Sequence, residues 1–388
     1  MRGRRVSTTL GALSVAAWVS LLALQSCGKS APAALVTAPK TAAAVDPSLA
    51  GGPSGGIPVS TKDRNRALSF AMSRIDVGTG GPGGTPAAQP APPELPITNI
   101  QVLPFDNIWN RDIAVLHVHP LSATWVAAIG ASANVHVGFY PSTFGMQYAL
   151  TGASTPKVSI AFSQDPSHCD AGPYPFTATT PIEVGTIDRH ALMIDTTTST
   201  LYELYGADWN NGQPRAAAGM VFPLGSNALH PDGWSSADEA GLTIFPGVLR
   251  WNEVLSGSIN HALRFEAAHG HIDGTIGAHL WPARHDPSFN GVSNPNLPPM
   301  GARFRLKLSY NIWGFDQHTR VILRALQHYG MFLADFGYDW ELIGTADPRW
   351  DKKVIDELGT IPASAFEVVD ESHLMIAPNS AQSLPALP

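Results

Sequence analysis

The clearest hydrophobic pattern of the chain lies between residues 190 and 205. Two apolar segments, 190–195 and 200–205, flank a short run of threonine and serine. Apolar alternation on both sides of a polar turn predicts a β-hairpin. Further strands are predicted at 100–103, 158–162, 262–267 and 302–309.

A helical repeat follows in residues 317–332. Its apolar positions recur at steps of three and four, at Val321, Ile322, Ala325, Leu326, Tyr329 and Phe332. This spacing predicts an amphipathic helix, and a shorter helix is predicted at 352–358. Many strands, one long helix near the C-terminus and no strand–helix alternation favour a mainly β fold. We therefore expect a single β-sandwich or jelly-roll-like domain over residues 97–370.

The N-terminus has the pattern of an export signal. Three arginines precede an apolar run at 12–24, which is shorter than the roughly 20 residues that span a membrane. The run ends in Leu24-Gln25-Ser26-Cys27, which resembles a bacterial lipobox. We expect a signal peptide at 1–26 and lipidation of Cys27, which would anchor the protein in a lipid bilayer. A cleaved signal without lipid and a transmembrane anchor are the alternatives.

Composition divides the rest of the chain. Residues 27–96 are rich in alanine, proline, glycine and serine, which predicts a disordered tether that holds the domain away from the membrane. Residues 371–388 are expected to form a flexible tail. Together these features predict a lipid-anchored, extracytoplasmic protein of the cell envelope.

Net charge and cysteine content bear on two questions, whether the chain binds nucleic acid and whether it forms a disulfide bond. Residues 1–26 hold three arginines and no acidic residue, so their removal changes the net charge from −7 to −10. Such a chain has no basic excess with which to bind nucleic acid. With Cys27 acylated, Cys169 has no partner for an intramolecular disulfide.

The chain also resembles a family of secreted or lipid-anchored bacterial proteins of uncharacterised function. Seven segments carry the resemblance: DNIWN (106–110), DRH (188–190), LYELY (201–205), SNALHPDGWSSAD (226–238), HALRF (261–265), WPARH (281–285) and YGMFLAD (329–335). They cover the whole globular part. The resemblance implies an extracytoplasmic domain and no particular activity.

Carboxylates and an indole crowd the segment 227–238. Asp232 and Asp238 bracket Trp234 in an irregular stretch. Sugar processing needs carboxylates that exchange protons and an aromatic face that stacks on the ring. In the structural alternative, the aspartates cap a helical turn at 236–240 and the indole packs in the core.

Two histidines extend this set. Asp188 and His190 would share one face of a strand, where a carboxylate tunes an imidazole for acid–base work. His285 and Arg264 could gather around an acidic sugar, as in polysaccharide lyases on β-sandwich folds. Internal ion pairing is the alternative for both. The glycine-rich loop around His269 and His271 lacks a completing carboxylate, so no metal and no cofactor are predicted.

These observations predict a polysaccharide hydrolase or lyase, with a polysaccharide as its partner. The expected catalytic residues are Asp188, His190, Asp232, Asp238 and His285, and the expected substrate-binding residues are Trp234, Arg264 and Asn227. The alternatives are a non-catalytic glycan-binding lipoprotein and a structural or interaction protein of the envelope.

Overall fold

The computed structural model describes residues 94–97, 100–164, 166–186, 188–210, 212–287 and 293–386. The predicted signal peptide, Cys27 and the tether up to residue 93 lie outside these ranges. Within them, no helix is long and apolar enough to cross a membrane. The same ranges contain thirteen strands and four α-helices, so the prediction of a mainly β domain is confirmed.

The strands follow one another along the chain with long connections. In chain order they are β1 (His136–Gly138), β2 (Tyr148–Thr151), β3 (Ala161–Phe162), β4 (Ala191–Asp195), β5 (Thr200–Tyr205), β6 (Asp208–Asn210), β7 (Gln213–Ala216), β8 (Ala218–Pro223), β9 (Leu263–Ala267), β10 (Arg303–Leu306), β11 (Met331–Phe336), β12 (Glu341–Ile343) and β13 (Phe366–Val368). They form a six-stranded sheet β1-β12-β9-β11-β10-β13, a four-stranded sheet β2-β4-β5-β8 and a three-stranded sheet β3-β7-β6.

The described ranges also contain four α-helices. They are α1 (Ser122–Ile129), α2 (Trp251–Ser256), α3 (Gln317–His328) and α4 (Lys352–Leu358). α1 packs against β13, α3 against β10 and α4 against β1, so these three helices cover the six-stranded sheet. The short α2 contacts α3.

The four-stranded sheet is buried on both faces. Leu192, Ile194 and Leu201 point into the main core, which they share with the six-stranded sheet. Met193 and Tyr202 point the other way, into a smaller core that includes residues beside the three-stranded sheet. Sheets packed face to face in this way bury alternate side chains of each strand on opposite sides.

The long helix ends earlier than its apolar repeat predicts. Asp316 caps its first turn by accepting a hydrogen bond from the His318 backbone N–H, and the helix ends at His328 instead of residue 332. Gly330 has φ +65°, and a Cβ atom there would overlap the Phe304 carbonyl oxygen. The chain turns at this glycine and continues as β11, so the prediction of helix at 331–332 was wrong.

The other predicted elements are mostly confirmed. The hairpin at 190–205 is formed by β4 and β5, and the short helix at 352–358 is α4. The strands predicted at 262–267 and 302–309 appear in shorter form as β9 and β10. Residues 100–103 form no strand, and only the last two residues of 158–162 do.

Described residues beyond both predicted boundaries of the domain pack against it. The predicted tail instead contains the buried residues Leu374, Ala381 and Ser383. This segment binds the start of the domain: the Arg111 guanidinium donates to the hydroxyl and backbone oxygens of Ser383. At the other end, Glu94 accepts hydrogen bonds from two backbone N–H groups at the start of α2.

Candidate active site

Three of the predicted catalytic side chains, His190, Asp238 and His285, belong to segments that meet at residues 234–242. The backbone N–H groups of Arg284 and His285 donate to the Ala240 carbonyl at 2.8 and 3.1 Å. The Nε2 atom of His190 lies 3.0 Å from the Ala237 carbonyl oxygen. The fold thus brings together segments that are far apart in sequence, and Asp238 lies among them.

Asp238 and Arg264 form an ion pair in the protein interior. Asp238 Oδ2 lies 3.3 Å from Arg264 Nη2, and both side chains are fully buried. Asp238 Oδ1 accepts hydrogen bonds from the Leu242 backbone N–H at 2.9 Å and from the Ser236 hydroxyl at 3.1 Å. These contacts fix the orientation of the carboxyl group. Residues 236–240 form no helix, only a turn at 239–240, so Asp238 is not the cap of a helix that the structural alternative expected.

Several carboxyl groups compete for this one guanidinium. Asp335 Oδ2 lies 3.9 Å from Arg264 Nη2, and Glu203 is buried nearby on β5. Burial, together with the charges of Asp335 and Glu203, raises the pKa of Asp238 well above its usual range, and Arg264 only partly opposes the rise. A carboxyl group in this position retains its proton more readily than an exposed one.

Glu203 is held by a turn of the backbone. Its carboxylate accepts hydrogen bonds from the backbone N–H groups of Ile244 and Phe245 at 2.8–2.9 Å. Burial raises its pKa, and these N–H donors oppose the rise. Glu203 therefore adds a further acidic group to the interior beside Arg264.

His190 is paired with an acidic residue that the sequence did not identify. Its Nδ1 atom lies 2.6 Å from Glu183 Oε2, and both side chains are buried. Burial alone lowers the pKa of His190, but the negative charge and hydrogen bond of Glu183 outweigh it and raise the pKa to about 9. Despite its burial, the Glu183 carboxyl has a lowered pKa because of His190. Asp188 lies half-buried beside this pair and adds negative charge.

His285 contacts the residue that follows Asp238. Its Nδ1 atom lies 3.0 Å from the Glu239 backbone oxygen and 3.3 Å from Glu239 Oε1. The neighbouring Asp286 is also buried. Burial raises its pKa, but the nearby His279 at 3.7 Å, the charge of His285 and a hydrogen bond from the Gly277 backbone N–H lower it overall. This part of the site therefore favours the ionised form of Asp286.

Asp232 and Trp234 lie towards the surface. The Asp232 side chain is 59% exposed and lies 3.0 Å from His279 Nε2. The half-buried Trp234 ring stacks with the rings of His168 and His230, at centroid distances of 5.5 and 5.9 Å. The structure thus separates Asp232, which faces solvent, from Asp238, which lies inside.

Asn227 holds loops together. Its Nδ2 donates to Asp106 Oδ1 and its Oδ1 accepts from Asn107 Nδ2, both at 2.8 Å. Its backbone oxygen accepts from Ala381 N–H. Both ends of the amide are engaged in contacts between segments.

No family model, curated protein or solved structure matches the chain. The family resemblance of the sequence therefore stays a prediction. Among residues that the structure describes, no group of three or more histidine, cysteine or acidic side chains is arranged to hold a metal ion. Any function has to be argued from the geometry of the site.

Sequence reasoning missed four acidic members of the site: Glu183, Glu203, Glu239 and Asp335. Glu203 carried a usable signal, because it is the lone charged residue of an otherwise apolar strand. Asp335 similarly ends an apolar run at 331–334. A charged residue in such a position is expected to be paired when the strand is buried.

Proposed function

We propose that the protein is a cell-envelope lipoprotein with a carbohydrate-active domain, a polysaccharide hydrolase or lyase whose acid–base groups lie around Asp238. The observation that carries this proposal is the opposite perturbation of neighbouring ionisable groups. The pKa of the Asp238 carboxyl is raised, whereas that of Glu183 is lowered and that of His190 is raised to about 9. Divergent pKa values in one cluster are characteristic of acid–base sites.

The cost of the cluster supports a functional role. Buried ion pairs contribute little net stability, because desolvation offsets their attraction. Here a fully buried arginine and three buried carboxyl groups, Asp238, Asp335 and Glu203, occupy space that apolar side chains could fill. Stability alone does not explain this arrangement, which supports a role for these residues in function.

The contacts support distinct roles for the residues. Asp238, with its raised pKa, is the proposed proton donor, and His190 with Glu183 provides a positively charged partner. Arg264 is fully buried and pairs with Asp238, which supports a positioning role instead of direct substrate binding. Asp232 is exposed and Trp234 is half-buried, and they are the proposed contacts for a sugar chain, with His279 pairing with Asp232 from the more buried side.

Activity assays on the full-length protein test this proposal. Soluble neutral and acidic polysaccharides would be screened for new reducing ends and for the ultraviolet absorbance of the unsaturated sugars that elimination produces. We expect activity on at least one polymer, and we expect Asp238→Asn to lower kcat by about 100-fold or more. Asp356→Asn, at an exposed position on α4, is the matched control and should keep the full rate.

Two results would contradict the assignment. Full activity of a folded Asp238→Asn variant would remove Asp238 from the chemistry. Absence of activity on every polymer, with binding to one of them in affinity electrophoresis, would favour non-catalytic glycan binding. That second candidate is favoured by the different exposure of the two groups of residues: a glycan at Asp232 and Trp234 would not contact the fully buried Asp238 and Arg264.

The lipoprotein part of the proposal rests on the lipobox-like sequence ending at Cys27. Metabolic labelling with a palmitate analogue should mark the wild type and leave Cys27→Ser unmarked. The variant should also leave the membrane fraction. Unchanged labelling and fractionation of Cys27→Ser would refute lipid attachment at this residue.

A further inference from the structure

A polar cavity lies outside the group of residues around Asp238. Its volume is about 470 Å³, and it is bounded by residues 96–97 and 100–102, by part of α2 and by residues 258–261. None of the predicted site residues lines it. It therefore calls for a separate explanation.

Three charged or ionisable side chains form one wall of this cavity. Glu253 Oε1 lies 2.7 Å from Arg250 Nη2, and His261 Nε2 lies 3.2 Å from both oxygens of the same carboxylate. Although burial opposes ionisation, the charges of Arg250 and His261 lower the pKa of Glu253 to about 2. Glu253 is thus a fixed carboxylate at neutral pH.

The carboxylate has accepting capacity that faces the cavity. The Glu253 side chain is 28% exposed, whereas Arg250 and His261 are buried. Among the described residues, His261 is the only side chain in hydrogen-bond contact with Glu253 Oε2. A carboxylate oxygen accepts more than one hydrogen bond, so Oε2 can take a donor from a ligand.

Arg250 itself is not available to an anion. Its Nη1 donates to the backbone oxygens of Phe245 and Val248, at 2.6 and 3.1 Å, and its Nη2 is engaged by Glu253 and His261. The wall therefore offers an acceptor and no free cation. A hydroxyl-bearing ligand suits it better than a phosphate or a carboxylate.

Apolar side chains also line the cavity, namely Ile97, Ile100, Val102 and Pro246, which together are called the apolar wall below. Ser258 and Asn260 add further polar groups to the lining. A cavity with one apolar wall and a few placed polar groups is the common form of a small-molecule site. Pyranose rings have the same division, with C–H groups on their faces and hydroxyl groups at their edges.

We propose that this cavity binds a neutral pyranose, with Glu253 accepting hydrogen bonds from its hydroxyl groups and the apolar wall packing against its ring. The inference does not depend on chemistry at Asp238. It adds a binding subsite to the domain. This subsite would hold either a free sugar or one sugar residue of a longer glycan.

Saturation-transfer NMR on the full-length protein tests the proposal. The probes are the methyl pyranosides of glucose, mannose and galactose, with inorganic phosphate, followed by phosphorus NMR, as the anionic comparison. We expect saturation transfer to at least one pyranoside and no binding of phosphate. Asn260→Trp should fill the cavity and abolish the signal, whereas Asn296→Trp, at an exposed site outside the cavity, should preserve it.

A second variant addresses the carboxylate without blocking the cavity. Glu253→Gln keeps the shape of the side chain and should weaken binding about tenfold or more, because a hydrogen bond to a charged acceptor is lost. No transfer to any pyranoside, or transfer that stays at the wild-type level in Asn260→Trp, would overturn the proposal. Binding of phosphate in place of sugars would also overturn it. None of these results depends on whether Asp238→Asn loses activity.

Discussion

The pairing of His190 with Glu183 predicts a measurable loss of stability at alkaline pH. The pKa of His190 is raised from 6.5 to about 9 in the folded protein. A raised pKa means that the folded state holds the proton more tightly than the unfolded state does. The resulting stabilisation is complete below pH 6.5 and is lost as the pH rises to about 9.

The size of the effect follows from the two pKa values. Each pH unit between them corresponds to about 1.36 kcal/mol, so the full effect is about 3 kcal/mol. This is a large share of the 5–15 kcal/mol that is typical of domain stability. Urea unfolding at a series of pH values, followed by tryptophan fluorescence, measures it.

A variant separates this effect from other titrating groups. Glu183→Gln removes the charge that raises the pKa of His190, and it should abolish about 3 kcal/mol of the pH dependence between 6.5 and 9. Asp208→Asn is the matched control, because its ion pair with Arg189 is exposed on both sides. That control should keep the wild-type pH dependence.

Two measurements could refute the reasoning. A wild-type free energy of unfolding that stays constant between pH 6.5 and 9 would show that His190 does not gain a proton on folding. Titration of the His190 ring near 6.5, observed by NMR, would show the same directly. Equal slopes for wild type and Glu183→Gln would assign the pH dependence to other groups.

Three further predictions concern stability and are checked by urea unfolding. Arg303→Met should lower the free energy of unfolding by about 3–5 kcal/mol, because it leaves a buried carboxylate and several carbonyl groups without their donor. Arg324→Met, at an exposed position on α3, is the control and should change the free energy of unfolding little. An equal effect of the two arginine variants would contradict this. Gly330→Ala should cost more than about 1 kcal/mol, and Gly314→Ala, which has open space around it, should be neutral; a neutral Gly330→Ala would contradict the strain argument. Truncation after residue 370 should cost at least about 1.5–3 kcal/mol through the loss of Leu374 alone, and unchanged stability would restore the prediction of a flexible tail.

The local pattern of apolar residues predicted which helices and strands form better than it predicted the residues at which they end. The hairpin of β4 and β5 was predictable because its apolar positions and its turn lie within sixteen consecutive residues. The end of α3 was not, because the apolar repeat continues past Gly330 into β11. Which of the two structures forms there depends on the approach of β10, which is distant in sequence.

For the candidate site too, the sequence predicted the segments but not the burial of individual residues. The sequence identified the segments around His190, Asp238 and His285, and the structure places them side by side. It did not distinguish Asp232 from Asp238, although one is exposed and the other fully buried. Both lie in a loop without periodicity, so their burial depends on what packs over the loop and leaves no local signature.

The arrangement of the chain ends has a consequence for the order of folding. The last described residues pair with early ones: Ser383 N–H donates to the Asp106 backbone oxygen, and Ala381 N–H donates to that of Asn227. The central strand β9 likewise obtains both of its neighbours, β11 and β12, from the final part of the chain. Contacts between residues so far apart form slowly. The six-stranded sheet therefore cannot be completed until the last part of the chain has been synthesised, which would favour the export proposed for this protein before folding is finished.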